Sequence, residues 1–222
     1  APSHPSLIQL SPTEIPMTKP YGTGPKPRNY LDSGGYGDDV KRNLDLEAYH
    51  PHRVNLTKMI GYMHNFVAAG EGLDRVKKCL IYGKEDASFN PPKNRNFPEN
   101  ISAADSTNFM SVNSLIVHAI IGMATETSEM VEALVKTIQT GEPFDTVNFV
   151  EEMGDNLWYT MLGCIAMDAE LNDVAWTNTR KLAIRYPDKF TAFAALNRNL
   201  GAERASLEGD VVEGNADRID VV

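Results

Sequence analysis

An all-α fold is predicted by three observations: apolar residues recur at helical spacing across residues 54–207, no stretch shows strand-like alternation, and Gly- or Pro-bearing breaks cut the pattern into segments. No internal repeat is visible. The expected architecture is a helical bundle built on an antiparallel helix hairpin that carries paired acidic motifs. An extended or disordered arm at residues 1–45 precedes it, the helical domain occupies 46–207, and an acidic tail follows at 208–222.

The arm is Pro-rich up to Pro27 and then Gly-rich at Gly34, Gly35 and Gly37, with too few aliphatics to build a core. It reads either as a disordered tail or as an arm that orders against a partner subunit or a larger assembly. In 54–67, Val54, Met59, Ile60, Met63, Phe66 and Val67 share one helical face, with Gly70 as the expected stop. A short helix over 74–82 follows, placing Val76, Cys79 and Leu80 on one side. Residues 84–108, with Pro91, Pro92 and Pro98 among Asn and Ser, are expected to form a long loop.

The stretch 108–140 is apolar on most sides, through Leu115, Ile116, Ile120, Ile121, Met130, Val131, Leu134 and Ile138, which predicts a helix buried nearly all round. Gly141 and Pro143 close it, and Asp145 or Thr146 caps a second helix reaching about residue 169. The short connection makes the two an antiparallel hairpin. Asp173 is expected to cap a helix over 174–185 that Pro187 ends, and 190–207 reads as a further amphipathic helix before the tail frays.

Apolar residues make up 42% and charged residues 23% of the 222, as in ordinary globular proteins, and no run approaches the roughly 20 apolar residues that span a bilayer. The first 30 residues lack a basic start followed by an apolar block, so a cytoplasmic protein is expected. A net charge of −9 repels nucleic acid and anionic membranes. The only cysteines, Cys79 and Cys164, lie in apolar segments and fit buried free thiols.

Chemistry concentrates in the hairpin. Glu126 and Glu129 stand three residues apart on its first helix, and Glu152 and Asp155 repeat that spacing on its second, so each pair shares a face. Glu129 precedes the hairpin turn by about the length by which Glu152 follows it, within about one helical turn, so the pairs can meet. Four converging carboxylates would repel one another unless cations fill the space between them. All-oxygen ligands select a hard ion, Mg²⁺ or Mn²⁺, which completes its shell with water and substrate phosphates. A solvated acidic face is the plainer reading of either pair alone. The apolar neighbours Ile120, Ile121, Met130, Val131, Met153, Leu157 and Trp158 argue against it. A di-iron bundle would need Glu-x-x-His, and no His stands three residues after any of these acids.

Glu126-Thr127-Ser128-Glu129 followed by Glu151-Glu152-Met153-Gly154-Asp155 resembles the E-x-x-E and E-x-x-D motifs of the all-α, MazG-like nucleoside triphosphate pyrophosphohydrolases. The lead-in from His118 to Gly122, Leu157-Trp158-Tyr159, and Asn178-x-x-Lys181-Leu182 running into Arg185-Tyr186-Pro187-Asp188-Lys189-Phe190 are similar to that family too, phage-encoded members included. The resemblance covers about residues 53–207. It implies Mg²⁺-dependent hydrolysis of ribo- or deoxyribonucleoside triphosphates to the monophosphate and pyrophosphate, with Glu126, Glu129, Glu152 and Asp155 as metal ligands. Glu126 or Glu151 would accept the proton of the attacking water. For a phage-encoded chain the cytoplasm would be the host's.

Asn178, Lys181 and Arg185 share a helical face and offer an amide and two cations to an anionic tail, or form a solvated basic face. Lys136, seven residues after Glu129, would meet the triphosphate or bulk solvent, and His118, eight before Glu126, is a packing residue or a base contact. Trp158 and Tyr159 read as core. So apolar a hairpin calls for another helical layer, hence a homodimer or homotetramer. The alternative function is a non-catalytic module of the same ancestry whose arm joins a larger assembly.

Overall fold

A computed structural model describes residues 26, 28–31, 34–44, 50–84 and 102–216. In chain order its α-helices are α1 (Gly35–Arg42), α2 (Leu56–Tyr82), α3 (Ala103–Ser111), α4 (Ser114–Thr140), α5 (Thr146–Ala166), α6 (Leu171–Arg185), α7 (Ala192–Leu196) and α8 (Leu200–Ala216), with no strand among the described residues. The protein is all-α, as its periodicity requires. Of the expected arm, residues 1–25 lie outside the described residues, and 35–42 form α1. Among the described residues no single helix is long and apolar enough to cross a membrane, and the bent pair of α3 and α4 passes that test in combination.

The chain divides into two compact units, Leu46–Val174 and a second made of Ala1–Asp45 with Ala175–Val222. In the first, α4 is the central element, in contact with both α2 and α5. Polar caps fix where these helices start. The Asn55 side chain accepts from the Lys58 amide, Asn113 accepts from Leu115, and Asp145 accepts from both Val147 and Asn148. Gly141 ends α4 with φ 74°, a left-handed conformation that L side chains avoid, and α5 begins five residues later. Pairing runs antiparallel: Met123 meets Thr160 and Thr127 meets Asn156, so rising numbers on α4 face falling numbers on α5. The hairpin therefore forms where Gly141, Pro143 and Asp145 predicted it.

Other expectations are corrected. Gly70 does not stop a helix: α2 continues through it to Tyr82, merging the two segments expected over 54–67 and 74–82. Its role is close approach, since a Cβ there would lie 1.8 Å from Ser128 Oγ on α4. Gly122 serves α5 likewise, a Cβ there falling 2.2 Å from the Tyr159 ring. The expected loop 84–108 contains the start of α3, set by a capping box in which Ser102 and Asp105 satisfy each other's backbone N–H groups; residues 85–101 lie outside the described residues. The helix expected over 108–140 is divided at 112–113, so that α3 and α4 are separate. Helix α6 begins at Leu171, which places Asp173 in its first turn rather than at its cap. The helix expected over 190–207 is broken into α7 and α8, and the backbone of α8 runs on into the expected tail as far as Ala216.

The largest correction concerns burial. Helix α4 buries Ala119, Gly122, Thr125, Glu126, Ser128 and Val135, whereas Leu115, Ile120 and Leu134 are exposed. Helix α2 buries Gly70 and Lys77 and leaves Val76 and Leu80 open; α5 exposes Val147, Val150, Leu157 and Ile165. Small and polar residues therefore make up much of the contact within this unit, beside Val135 and Tyr159, and many of its large apolar residues face outward. Cys164 is buried and Cys79 half-buried, both as free thiols.

In the second unit Tyr30 is 2% exposed. Its hydroxyl donates to Thr179 Oγ1 at 2.8 Å and also bonds Asp39, while its ring meets Trp176 edge-on at 5.1 Å. These bonds tie the segment carrying α1 to α6. Glu203 on α8 accepts from Arg185 at 2.9 Å and from Arg198 at 2.7 Å, which fixes α8 to the end of α6.

Candidate metal centre

Acidic residues from α4 and α5 converge inside the first unit. Carboxylate oxygens of Glu126, Glu129 and Glu152 lie within 4.8 Å of one another; Glu126 and Glu152 are buried and Glu129 is open to solvent. Helix geometry explains the convergence: Glu126 and Glu129 occupy one face of α4, and the antiparallel register set by Gly141 and Asp145 carries Glu152 to the height of Glu129. Asp155 stands outside this group on an exposed part of α5, and it reaches Glu152 through its charge. Glu151 is exposed.

The cluster is electrostatically unsatisfied. Burial, reinforced by the negative charges of Glu129, Glu126 and Asp155, pushes the Glu152 carboxyl up to about 7. Burial raises Glu129 as well, with Glu126 adding to the effect. The neutral donor facing Glu152 is Asn148, whose amide nitrogen lies 3.3 Å from Oε1. Oxygen ligands alone, crowded and mutually repelling, are the donor set a hard divalent cation requires, so the residues fit such an ion.

One participant was not expected. Lys77 on α2 is 6% exposed, and its ammonium donates to Glu126 Oε1 and to Thr125 Oγ1, each at 2.9 Å. The Thr125 hydroxyl in turn lies 2.8 Å from the Gly122 carbonyl and 3.0 Å from Glu126 Oε1, and its one hydrogen serves one or the other. Burial opposes the charge on Lys77, yet the hydrogen bond and charge of Glu126 outweigh it and hold the ammonium well above its ordinary value. A seven-residue interval from Gly70 places Lys77 on the face of α2 that touches α4. That interval was the available signal.

A cleft of about 340 Å³ opens beside Glu129, lined also by Glu132, Lys136, Glu142, Asp145 and Asn148. Lys136 is exposed there and pairs with Glu142 at 3.3 Å. His118 lies further along α4, edge-on to Trp158 at 6.0 Å and Tyr159 at 5.5 Å, and its buried Nε2 has no hydrogen-bond partner. Burial lowers its pKa, and the Lys77 charge lowers it further. Tyr159 is buried as expected of core, whereas Trp158 is exposed. Asn178, Lys181 and Arg185 belong to the other unit. Lys181 donates to Asn178 Oδ1 at 2.7 Å, and Arg185 is engaged by Glu203.

Residues 118–190 match the family model of the MazG nucleotide pyrophosphohydrolase domain, a span that holds Glu126, Glu129 and Glu152 and leaves out α2. No curated protein and no solved structure matches the chain.

Proposed function

With a MazG nucleotide pyrophosphohydrolase domain at residues 118–190, we propose that this protein hydrolyses ribo- or deoxyribonucleoside triphosphates to the monophosphate and pyrophosphate with Mg²⁺. The observation that carries the reading is the crowding of Glu126, Glu129 and Glu152 within 4.8 Å, with Lys77, among the described residues, the one cation paired with them. Glu126, Glu129 and Glu152 would hold the ion and Asp155 would complete the set from one turn along α5; Mn²⁺ is the natural substitute. A divalent ion held there supplies Lewis acidity toward phosphate oxygens and water.

The chain's own groups do the rest. Water attacks the α-phosphorus, the bond from that phosphorus to the bridging oxygen breaks, and pyrophosphate leaves, while Glu126 or Glu151 takes the proton of the water. Glu126 Oε1 is already engaged by the Lys77 ammonium, whereas Glu151 is exposed to solvent, which favours Glu151 for that role. Lys136 in the cleft beside Glu129 supplies a cation for the triphosphate; His118 is a base contact by the family resemblance alone, its Nε2 being buried. The family resemblance makes Asn178, Lys181 and Arg185 candidates for contact with phosphate or sugar, although Arg185 is engaged by Glu203.

Val147, Val150, Leu157 and Ile165 expose an apolar stripe along α5, which supports a homo-oligomer in which another helical layer covers it. The test of the activity is a panel of ribo- and deoxyribonucleoside triphosphates with Mg²⁺, read as equimolar monophosphate and pyrophosphate. Release of orthophosphate instead, or no turnover of any member, contradicts the proposal.

A further inference from the structure

We propose that Lys77 is a positioning residue for the metal centre: from α2 it fixes the Glu126 carboxylate in place as a ligand. This rests on the metal reading above and adds a component from outside the matched span 118–190. Helix α2 has two buried residues, Gly70 and Lys77, and they perform one task. Gly70 brings the helix so close to Ser128 that no side chain fits between them, and two turns later Lys77 reaches α4 with its ammonium rather than an apolar group.

Burying a lysine is costly, and a mere spacer at this position would be served by an aliphatic residue. What surrounds the ammonium explains the choice. Glu126 Oε1 and Thr125 Oγ1 both lie 2.9 Å from Nζ, Asp74 Oδ1 lies at 3.5 Å, and the Tyr159 ring centroid lies at 5.3 Å. Lys77 therefore touches groups from α2, α4 and α5 at once, and it bridges Thr125 Oγ1 and the carboxylate oxygen of Glu126, which stand 3.0 Å apart. The ammonium thereby gives Glu126 a fixed orientation, while among the described residues no Lys or Arg pairs with Glu129 or Glu152. Partners that orient a ligand in this way govern metal affinity without touching the metal.

The experiment is calorimetric titration of Mn²⁺ into the full-length protein, without substrate, for wild type, Lys77→Met, Glu126→Gln and the double variant. Lys77→Met should bind Mn²⁺ about 10- to 100-fold more weakly, the range typical of lost outer partners. In the Glu126→Gln background the same substitution should change affinity by no more than about twofold, because the two residues act as one unit. Lys77→Arg, which keeps the charge and donors, should recover most of the affinity. A folded Lys77→Met with wild-type affinity, or with tighter binding, overturns the positioning role. So does an equal loss in both backgrounds, which would show a general effect on the bundle. If Lys77→Met does not fold, the Glu126→Gln pair and Lys77→Arg carry the decision, since neither leaves an unpaired buried carboxylate. Wild type that binds no Mn²⁺ removes the metal reading itself, an outcome distinct from a variant that binds as well as wild type.

Discussion

Glu203 and Glu152 are both almost wholly buried carboxylates, and the two units treat them in opposite ways. Glu203 receives two guanidinium groups: hydrogen bonds from Arg185 first, then Arg198, hold its carboxyl down to about 2. Glu152 receives burial and three neighbouring acids, and rises to about 7. Charge matched within the chain is a fastening, here of α8 onto α6. Charge left unmatched inside the α2–α4–α5 bundle weakens the fold unless something from outside supplies the missing cation, and that is the physical mark of a site.

The sharpest way to break the contrast is to remove one acid from the crowded side. Glu152→Gln should lower pyrophosphate release by about a thousandfold, several kcal/mol of lost charge stabilisation. The same variant should melt no lower than wild type without metal, because a repulsion has gone. Activity assays paired with circular-dichroism melts read both, and a loss of activity that merely follows unfolding would make Glu152 structural like Glu203. Next in size is the close approach that holds the acids together. Gly70→Ala and Gly122→Ala each force a methyl into a neighbour at 1.8 and 2.2 Å respectively. Each should cost about 1–3 kcal/mol in urea unfolding, and an unchanged midpoint would mean that the helices are not so closely apposed.

The smallest effect is on the pH dependence of stability, and it has opposite signs in the two places. Glu203 contributes stability above about 4.5, the ordinary carboxylate value, and that contribution disappears as pH falls through about 2. Glu152 contributes nothing below about 4.5; as pH rises from there to about 7 the native state must give up a proton it holds more tightly than the unfolded chain does, so stability declines. Melting temperatures in chelator should show that neutral-range decline, and excess Mg²⁺ should flatten it. Glu203→Gln should erase the acid limb and leave the neutral limb alone.

Much of the bundle could be read from residue order. The all-α class followed from periodicity, and the α4–α5 turn from Gly141, Pro143 and Asp145, because local backbone chemistry decides those features. The i, i+3 spacing of Glu126 with Glu129, together with the length of the turn, was enough to bring Glu152 opposite them. What sequence order concealed were tertiary choices. A glycine reads equally as a helix stop or as a contact point, and only Ser128 on another helix decides that Gly70 is the latter. Lysine defaults to the surface, and only Glu126 and Thr125 on another helix make Lys77 a buried residue. Apolar periodicity shows which residues avoid water without showing what covers them, which is why Leu115, Ile120 and Leu134 were expected inside and stand outside. Asp155 shares the spacing of the other acids yet stands apart from their cluster, since a helix face is wider than a coordination sphere.

The central claim is that Glu126, Glu129 and Glu152 form a cation site whose own repulsion the ion relieves. Thermal melting of wild type and Glu129→Gln across a Mg²⁺ titration at neutral pH tests it most directly. Wild type should gain about 2.7 kcal/mol at a hundredfold excess over its dissociation constant, and Glu129→Gln, which starts no less stable, should gain far less. A wild-type melt indifferent to Mg²⁺, or an equal gain in the variant, would contradict the account.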